Sequence, residues 1–320
     1  MGLSKKIEIK DILEAKNNIY GVVPKTLFTN YKLFNEFVGA DVYFKHENYN
    51  ITHAFKIRGV THFLKKSALP ELLIAATKGN HGAAIAYAAS LFRKKSIVVV
   101  PKNNSKYKND LIRSYGAQLV EFGDTFDDAN EYAQNLGKNK NSLFIHIAND
   151  KGIVAGAGTV AFEIFDKCYD LDYLLQPIGG GSGISGSIIA RNTLSKKTKV
   201  FGVQAENANA LYLSLRKNKK VSLKNVNTIA DGLATKNVFD LTYNIIKKDI
   251  DDVLLVSEKE IKEALKIMFF LTGNIIETAS ATSIAALIKN KGKFFGKKIA
   301  IIITGSNLDP LLFLEIINEN

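Results

Sequence analysis

The 320 residues hold 43 lysines and arginines against 31 aspartates and glutamates, a formal net charge of +12. The surplus is dispersed lysine with no basic stripe or recognisable module, which argues against nucleic acid as a partner. A hydrophobic share of 46% beside 23% charged residues excludes a disordered chain, and the length predicts two domains or one large α/β unit with a second lobe. The lone Cys168 excludes an intrachain disulfide framework and a thiolate metal cage and fits a reducing, cytoplasmic compartment, while no run reaches the ~20 apolar residues that cross a bilayer.

In chain order, Met1 to Lys6 leads into Ile7, Ile9, Ile12 and Leu13 at helical spacing, so neither an export signal nor a membrane anchor is expected. An extended segment at Val22-Val23-Pro24, a helix from Leu33 to Val38 and a strand from Val42 follow. From Leu72, short apolar runs alternate with amphipathic stretches of helical length. The runs are Leu72 to Ala76, Ser96 to Val100, Gln118 to Phe122 and Leu143 to Ile147, and the helices reach Leu91, span Asp110 to Tyr115 and span Asp127 to Leu136. This alternation predicts parallel βα units. A helix over Val154 to Phe165 then precedes strands Tyr173 to Pro177 and Lys199 to Gln204, with a helix to Leu194 between them. After an irregular region come a strand at Val253 to Val256, helices over Glu258 to Leu271 and Thr282 to Lys289, and a last strand, Ile299 to Ile303.

Four stretches carry chemistry. Phe55-Lys56 heads a helix running to Lys66, and a lysine desolvated at a helix N-terminus, with positive charge nearby, acquires the lowered pKa of a Schiff-base nucleophile. Thr77-Lys78-Gly79-Asn80-His81-Gly82 closes a strand and opens a helix, where small residues and free amides bind a carboxylate. Gly179-Gly180-Gly181-Ser182-Gly183-Ile184-Ser185-Gly186 suits a phosphate at a helix N-terminus. It also reads as G-x-G-x-x-G, with Glu206 where a dinucleotide site places its ribose-binding acid, so a dinucleotide oxidoreductase stays open on these residues alone. Thr304 ends a very apolar strand, ahead of Gly305-Ser306-Asn307.

Taken together, the four stretches resemble the fold-type-II pyridoxal-phosphate enzymes, nearest the threonine/serine dehydratases and serine racemase, over nearly the whole chain. The resemblance implies an α/β fold of two doubly wound lobes, tryptophan synthase β-like, with pyridoxal 5'-phosphate between them. Residues 1–68 and 149–320 would form the large cofactor lobe and 69–148 the small substrate-side lobe. It further implies that Lys56 holds the cofactor as a Schiff base and removes the Cα proton. Gly179, Gly180, Gly181, Ser182 and Gly183 would bind the phosphate, Asn80 the phenolic oxygen and Thr304 the pyridine nitrogen, with Phe55 and Glu277 also at the cofactor. Thr77, Lys78, Gly79 and His81 would bind the substrate carboxylate, and Lys78 stands where serine racemase carries its second-face base.

The implied reaction is dehydration and deamination of a small β-hydroxy-α-amino acid, with an amino-acid racemase or a non-catalytic cofactor-binding protein as alternatives; a homodimer is the family habit. Two departures stand out. His53-Ala54 replace the small hydroxyl residues usual before Phe-Lys, and the acidic motif reads Glu277-Thr278-Ala279-Ser280-Ala281. The relatives' divalent cation would use Glu206, but the second carboxylate position holds Tyr212, so no metal is expected.

Overall fold

A computed structural model describes residues 6–139 and 141–319; the expectation placed on Met1 to Lys5 lies outside the described residues. Among the described residues ten strands form: β1 (Phe28–Asn30), β2 (Asp41–His46), β3 (Leu72–Ala76), β4 (Lys95–Val100), β5 (Gln118–Glu121), β6 (Ser142–Phe144), β7 (Tyr173–Pro177), β8 (Lys199–Ala205), β9 (Asp252–Val256) and β10 (Lys298–Ile303). They make two sheets. One has the order β1-β2-β10-β7-β8-β9, parallel except for the edge strand β1, and the other is wholly parallel with the order β5-β4-β3-β6. Strands covered by helices on both faces need apolar side chains at every position, and β10, buried from Ile299 onward, has that composition.

The topology positions the site. β2, β10 and β7 are parallel neighbours, so His46, Ile303 and Pro177 end at one edge of the large sheet, followed respectively by the Lys56 stretch, Thr304 and the glycine loop. Open α/β sheets bind ligands at that edge. Behind it, helices Lys151–Lys167 and Ser182–Leu194 nearly touch backbone to backbone, since a Cβ on Gly186 would lie 2.5 Å from the Gly158 Cα.

Several elements differ from the sequence reading for local reasons. β6 stops at Phe144 instead of Ile147, because the Nδ1 of His146 accepts from the amides of Ala148 (3.0 Å) and Asn149 (2.8 Å) and turns the chain away. The helix expected from Thr282 begins at Thr278, with Glu277 in the cap position, because small buried residues such as Ala279 and Ser280 let it pack from its first turn. Strand β1 and the helices Ala210–Arg216, Asp240–Asp249 and Pro310–Asn318 were not legible. Among the described residues no helix is long and apolar enough to cross a membrane.

Candidate active site

Lys56 opens the helix Lys56–Lys66, and the segment before it is stitched to the end of β10. The amide of Phe55 donates to the Thr304 carbonyl (3.0 Å), that of Ser306 to the His53 carbonyl (3.0 Å), and Ala54 bridges Gly305. The bulky His53 is exposed, at φ 53°, so its imidazole stays out of the centre. The Lys56 Nζ donates to Ser182 Oγ (3.2 Å) and sits 4.8 Å from the Phe55 ring centroid. Burial pushes its pKa down to about 8 against the opposing attraction of Glu277. The desolvation expected from the sequence lowers this lysine, and the charged side chain that acts on it, Glu277, is a carboxylate that works the other way.

Facing it, Gly179 to Gly183 line the same cavity. Gly181 caps the helix Ser182–Leu194 at φ 88°, a left-handed conformation that side chains disfavour. A Cβ on Gly183 would lie 2.4 Å from Gln176 Nε2, so a ligand here meets bare backbone. The first amides of a helix have no intrahelical acceptor and face outward at its positive end. This cradle fits a phosphate dianion.

On the opposite wall, Thr77 Oγ1 accepts from the Gly79 amide (2.8 Å), which folds the loop back on itself. Asn80 Nδ2 donates to Glu277 Oε2 (2.7 Å), and its Oδ1 accepts from Asn307 (2.8 Å). Buried His81 has Nε2 3.1 Å from the Ile145 carbonyl, while Nδ1 finds no partner among the described residues. Burial pushes the imidazole down to about 3, so it is neutral. Lys78 lines the cavity half-buried, and no partner for its ammonium is found among the described residues.

At the cavity floor, Thr304 Oγ1 donates to Glu277 Oε1 (2.9 Å) and lies 2.9 Å from Ser280 Oγ. Burial pushes the Glu277 carboxyl up, and Lys108 opposes that rise.

The family model described as "Pyridoxal-phosphate dependent enzyme" matches residues 21–305. The chain belongs to this family. It is 34% identical over 317 residues to an L-threonine ammonia-lyase of Thermotoga maritima, covering 98% of this chain and 79% of that one. It is 32% identical over 314 residues to an L-threo-3-hydroxyaspartate ammonia-lyase of Saccharomyces cerevisiae, covering 96% and 95%. The solved serine racemase of Dictyostelium discoideum superposes with a TM-score of 0.86 at 34% identity, over 95% of this chain and 99% of that one.

The protein is thus a pyridoxal-phosphate enzyme of ammonia-lyase type, with the two-lobed fold expected. Its cavity gathers Phe55, Lys56, Thr77, Lys78, Gly79, Asn80, His81, Gly179 to Gly183, Glu277 and Thr304. Glu206 lies outside it, exposed and 3.4 Å from Lys289 Nζ, so the dinucleotide reading loses its acid as well as its family.

Sequence reasoning missed Lys108 and Asp231 in this pyridoxal-phosphate enzyme. Both line the cavity, and the Lys108 ammonium bonds the Asp231 carboxylate. A signal existed: Lys108 precedes buried Ile112 by one helical turn and therefore shares its inward face. Asp231, for its part, interrupts the apolar run Ile229-Ala230 and Leu233.

Proposed function

We propose that this pyridoxal-phosphate enzyme eliminates water from a small β-hydroxy-α-amino acid of the threonine, serine or 3-hydroxyaspartate type, yielding a 2-oxo acid and ammonia. The observation that carries the reading is Lys56. Its amine has a pKa of about 8 in a cavity that also holds the phosphate cradle, the Thr77 to His81 loop and a neutral hydroxyl, Thr304. When bound, pyridoxal phosphate supplies an electron sink for the Cα–H bond. Gly179 to Gly183 would hold its phosphate, Lys56 its carbonyl carbon, Asn80 its phenolic oxygen and Thr304 its ring nitrogen, with Phe55 and Glu277 bordering the ring.

Free Lys56 is uncharged for part of the population near neutral pH, so it can take the Cα proton, and Thr77, Gly79 and His81 orient the substrate carboxylate. A hydroxyl beside the ring nitrogen does not hold that nitrogen protonated as an aspartate would, which favours expulsion of the β-hydroxyl over a long-lived carbanion. The released enamine then hydrolyses to the oxo acid and ammonia. Incubation with L-serine, L-threonine and 3-hydroxyaspartate tests this: ammonia and 2-oxo acid should appear in equal amounts. Enantiomer exchange without ammonia, read by chiral chromatography, would move the assignment to a racemase.

Among these substrates, Lys78 favours 3-hydroxyaspartate, because a half-buried ammonium without a partner in the cavity wall suits a second carboxylate. Lys78→Ala should lower kcat/KM for 3-hydroxyaspartate more than for threonine, by about 2–5 kcal/mol. Equal losses on both would leave Lys78 as a general acid or base.

We also take the small lobe as residues 69–148, supported by β3 to β6 falling between Leu72 and Phe144. A cytoplasmic homodimer completes the reading. Exposed Phe270, Leu311 and Leu314, on the contacting helices Glu258–Thr272 and Pro310–Asn318, offer apolar surface for a second copy, and sedimentation tests it.

A further inference from the structure

Lys108 is 5% exposed and stands on helix Lys106–Ser114, beside the four-stranded sheet. Its ammonium bonds Asp231, in the short turn Asp231–Leu233 that lies against the helix Thr278–Lys289 of the six-stranded side. The two walls of the cavity are therefore joined by an ion pair whose lysine is buried and whose aspartate is half-buried. At the Lys108 end the carbon stem crosses the substrate loop so closely that a Cβ on Gly79 would lie 2.7 Å from Lys108 Cδ. At the other end the Asp231 turn lies against the phosphate cradle, since a Cβ on Gly179 would lie 2.5 Å from the Gly232 carbonyl.

Other bonds cross between the same regions, among them Asn80 to Glu277 (2.7 Å), Asn307 to Asn80 (2.8 Å), Ser105 to Asp309 (3.0 Å) and Asn237 to Asp127 (3.1 Å), but none of these has a buried ammonium as its donor. Lys108 differs, because an ammonium that deep is stable only with its carboxylate in place. Glu277 also attracts it, yet Glu277 is already bonded to Asn80 and Thr304. Asp231 thus holds the Lys108 stem against Gly79, in addition to the Thr77 and Asn80 bonds that also hold the loop.

We propose that Lys108 and Asp231 are a positioning pair for the elimination: Lys108 acts through Gly79 to fix the substrate loop, and Asp231 anchors it to the phosphate wall. Neither residue exchanges a proton with the substrate. The inference rests on the proposed reaction for its kinetic readout alone.

The holoenzyme should be compared with Lys108→Met, Lys108→Arg, Asp231→Asn and the double variant Lys108→Met/Asp231→Asn. Each should keep the visible absorption of bound cofactor. Each neutral single variant should lose at least about tenfold in kcat/KM, mainly through KM, because a loosened loop weakens carboxylate binding. The double should be no worse than the poorer single, as for two residues acting as one unit, and Lys108→Arg should recover most of the loss. A double variant with multiplied losses, or Lys108→Met within about twofold of the unmodified enzyme, overturns the pair.

Should the unmodified enzyme turn over none of the β-hydroxy amino acids, the reaction assignment fails, and the pair is then tested by the rate at which hydroxylamine strips the cofactor. Faster stripping in either single variant, and no faster again in the double than in the faster single, supports it, and stripping at the unmodified rate overturns it. If Lys108→Met does not fold, Asp231→Asn and Lys108→Arg carry both readouts.

Discussion

Lys45 and Lys56 flank the same connection out of β2, Lys45 buried and Lys56 half-buried, and their surroundings are opposite. Lys45 enters a closed network: its Nζ donates to Glu163 Oε2 (2.5 Å) and to the Thr26 carbonyl (2.8 Å). Arg58 completes it, with Nε donating to Glu47 Oε2 (2.7 Å) and Nη1 to Glu163 Oε1 (2.6 Å), while the hydroxyls of Thr26 and Tyr20 donate to the two carboxylates. Two cations and two carboxylates are thus fully buried with their polar atoms shared. Lys56, two residues before Arg58, has a serine hydroxyl as its hydrogen-bond partner and a carboxylate that is already bonded elsewhere.

Burial lowers the pKa of both lysines, but at Lys45 Glu47 and Glu163 work against that fall, and at Lys56 a single carboxylate, Glu277, does so. A paired buried charge builds the scaffold; an unpaired one is available for chemistry.

Breaking the two sides should therefore give different failures. The largest effect is expected at Lys56. Lys56→Ala should abolish activity and the borohydride-sensitive absorption band together, while its unfolding midpoint in urea stays near that of the cofactor-free protein. Loss of the fold instead would mean that Lys56 is part of the scaffold.

Next is Glu163→Ala, which strips a carboxylate from both Lys45 and Arg58. An uncompensated buried charge costs about 3–5 kcal/mol, to be read as a lowered urea midpoint, and activity per folded molecule should survive at low denaturant. Normal stability in that variant would erase the contrast.

The smallest effect is a pH dependence. An unfolded lysine titrates near 10.5 and the folded Lys56 near 8, so between those values the unfolded chain binds more protons and stability rises with pH. The cofactor-free protein should gain stability from pH 8 toward 10, with nothing gained from this group below 8. Lys56→Met should flatten that part of the profile, and a slope that survives the substitution would trace to another group.

Much of this site is written in short-range pattern. β7, β10 and the turns that follow them were legible because an apolar run ended by glycine or threonine fixes both a strand and the edge at which it stops. Lys56 was legible through Phe55 before it and the helix after it. The burial that lowers its pKa was expected, but the opposing carboxylate, Glu277, was not legible, because it reaches Lys56 only through tertiary folding. Arg58, Glu163 and Lys108 read locally as ordinary helical charges. Each is buried by an element far off in the chain, Arg58 and Glu163 by one another and Lys108 by the turn at Asp231. Charge complementarity across such distances leaves no periodicity in the sequence.

The place of β10 also bears on how the chain emerges from the ribosome. β3 to β6 are complete once residue 144 is out, so the four-stranded sheet can close early from contacts of modest sequence separation. The six-stranded sheet has its gap at the centre: β2 and β7 meet only through β10, made of residues 298–303. Until those residues leave the exit tunnel, two apolar strand edges stand open, and a nascent chain in that interval is a client for a holding chaperone. A product terminated before Lys298 would keep that gap permanently, so synthesis of the last strand is the step that commits the whole protein to its fold.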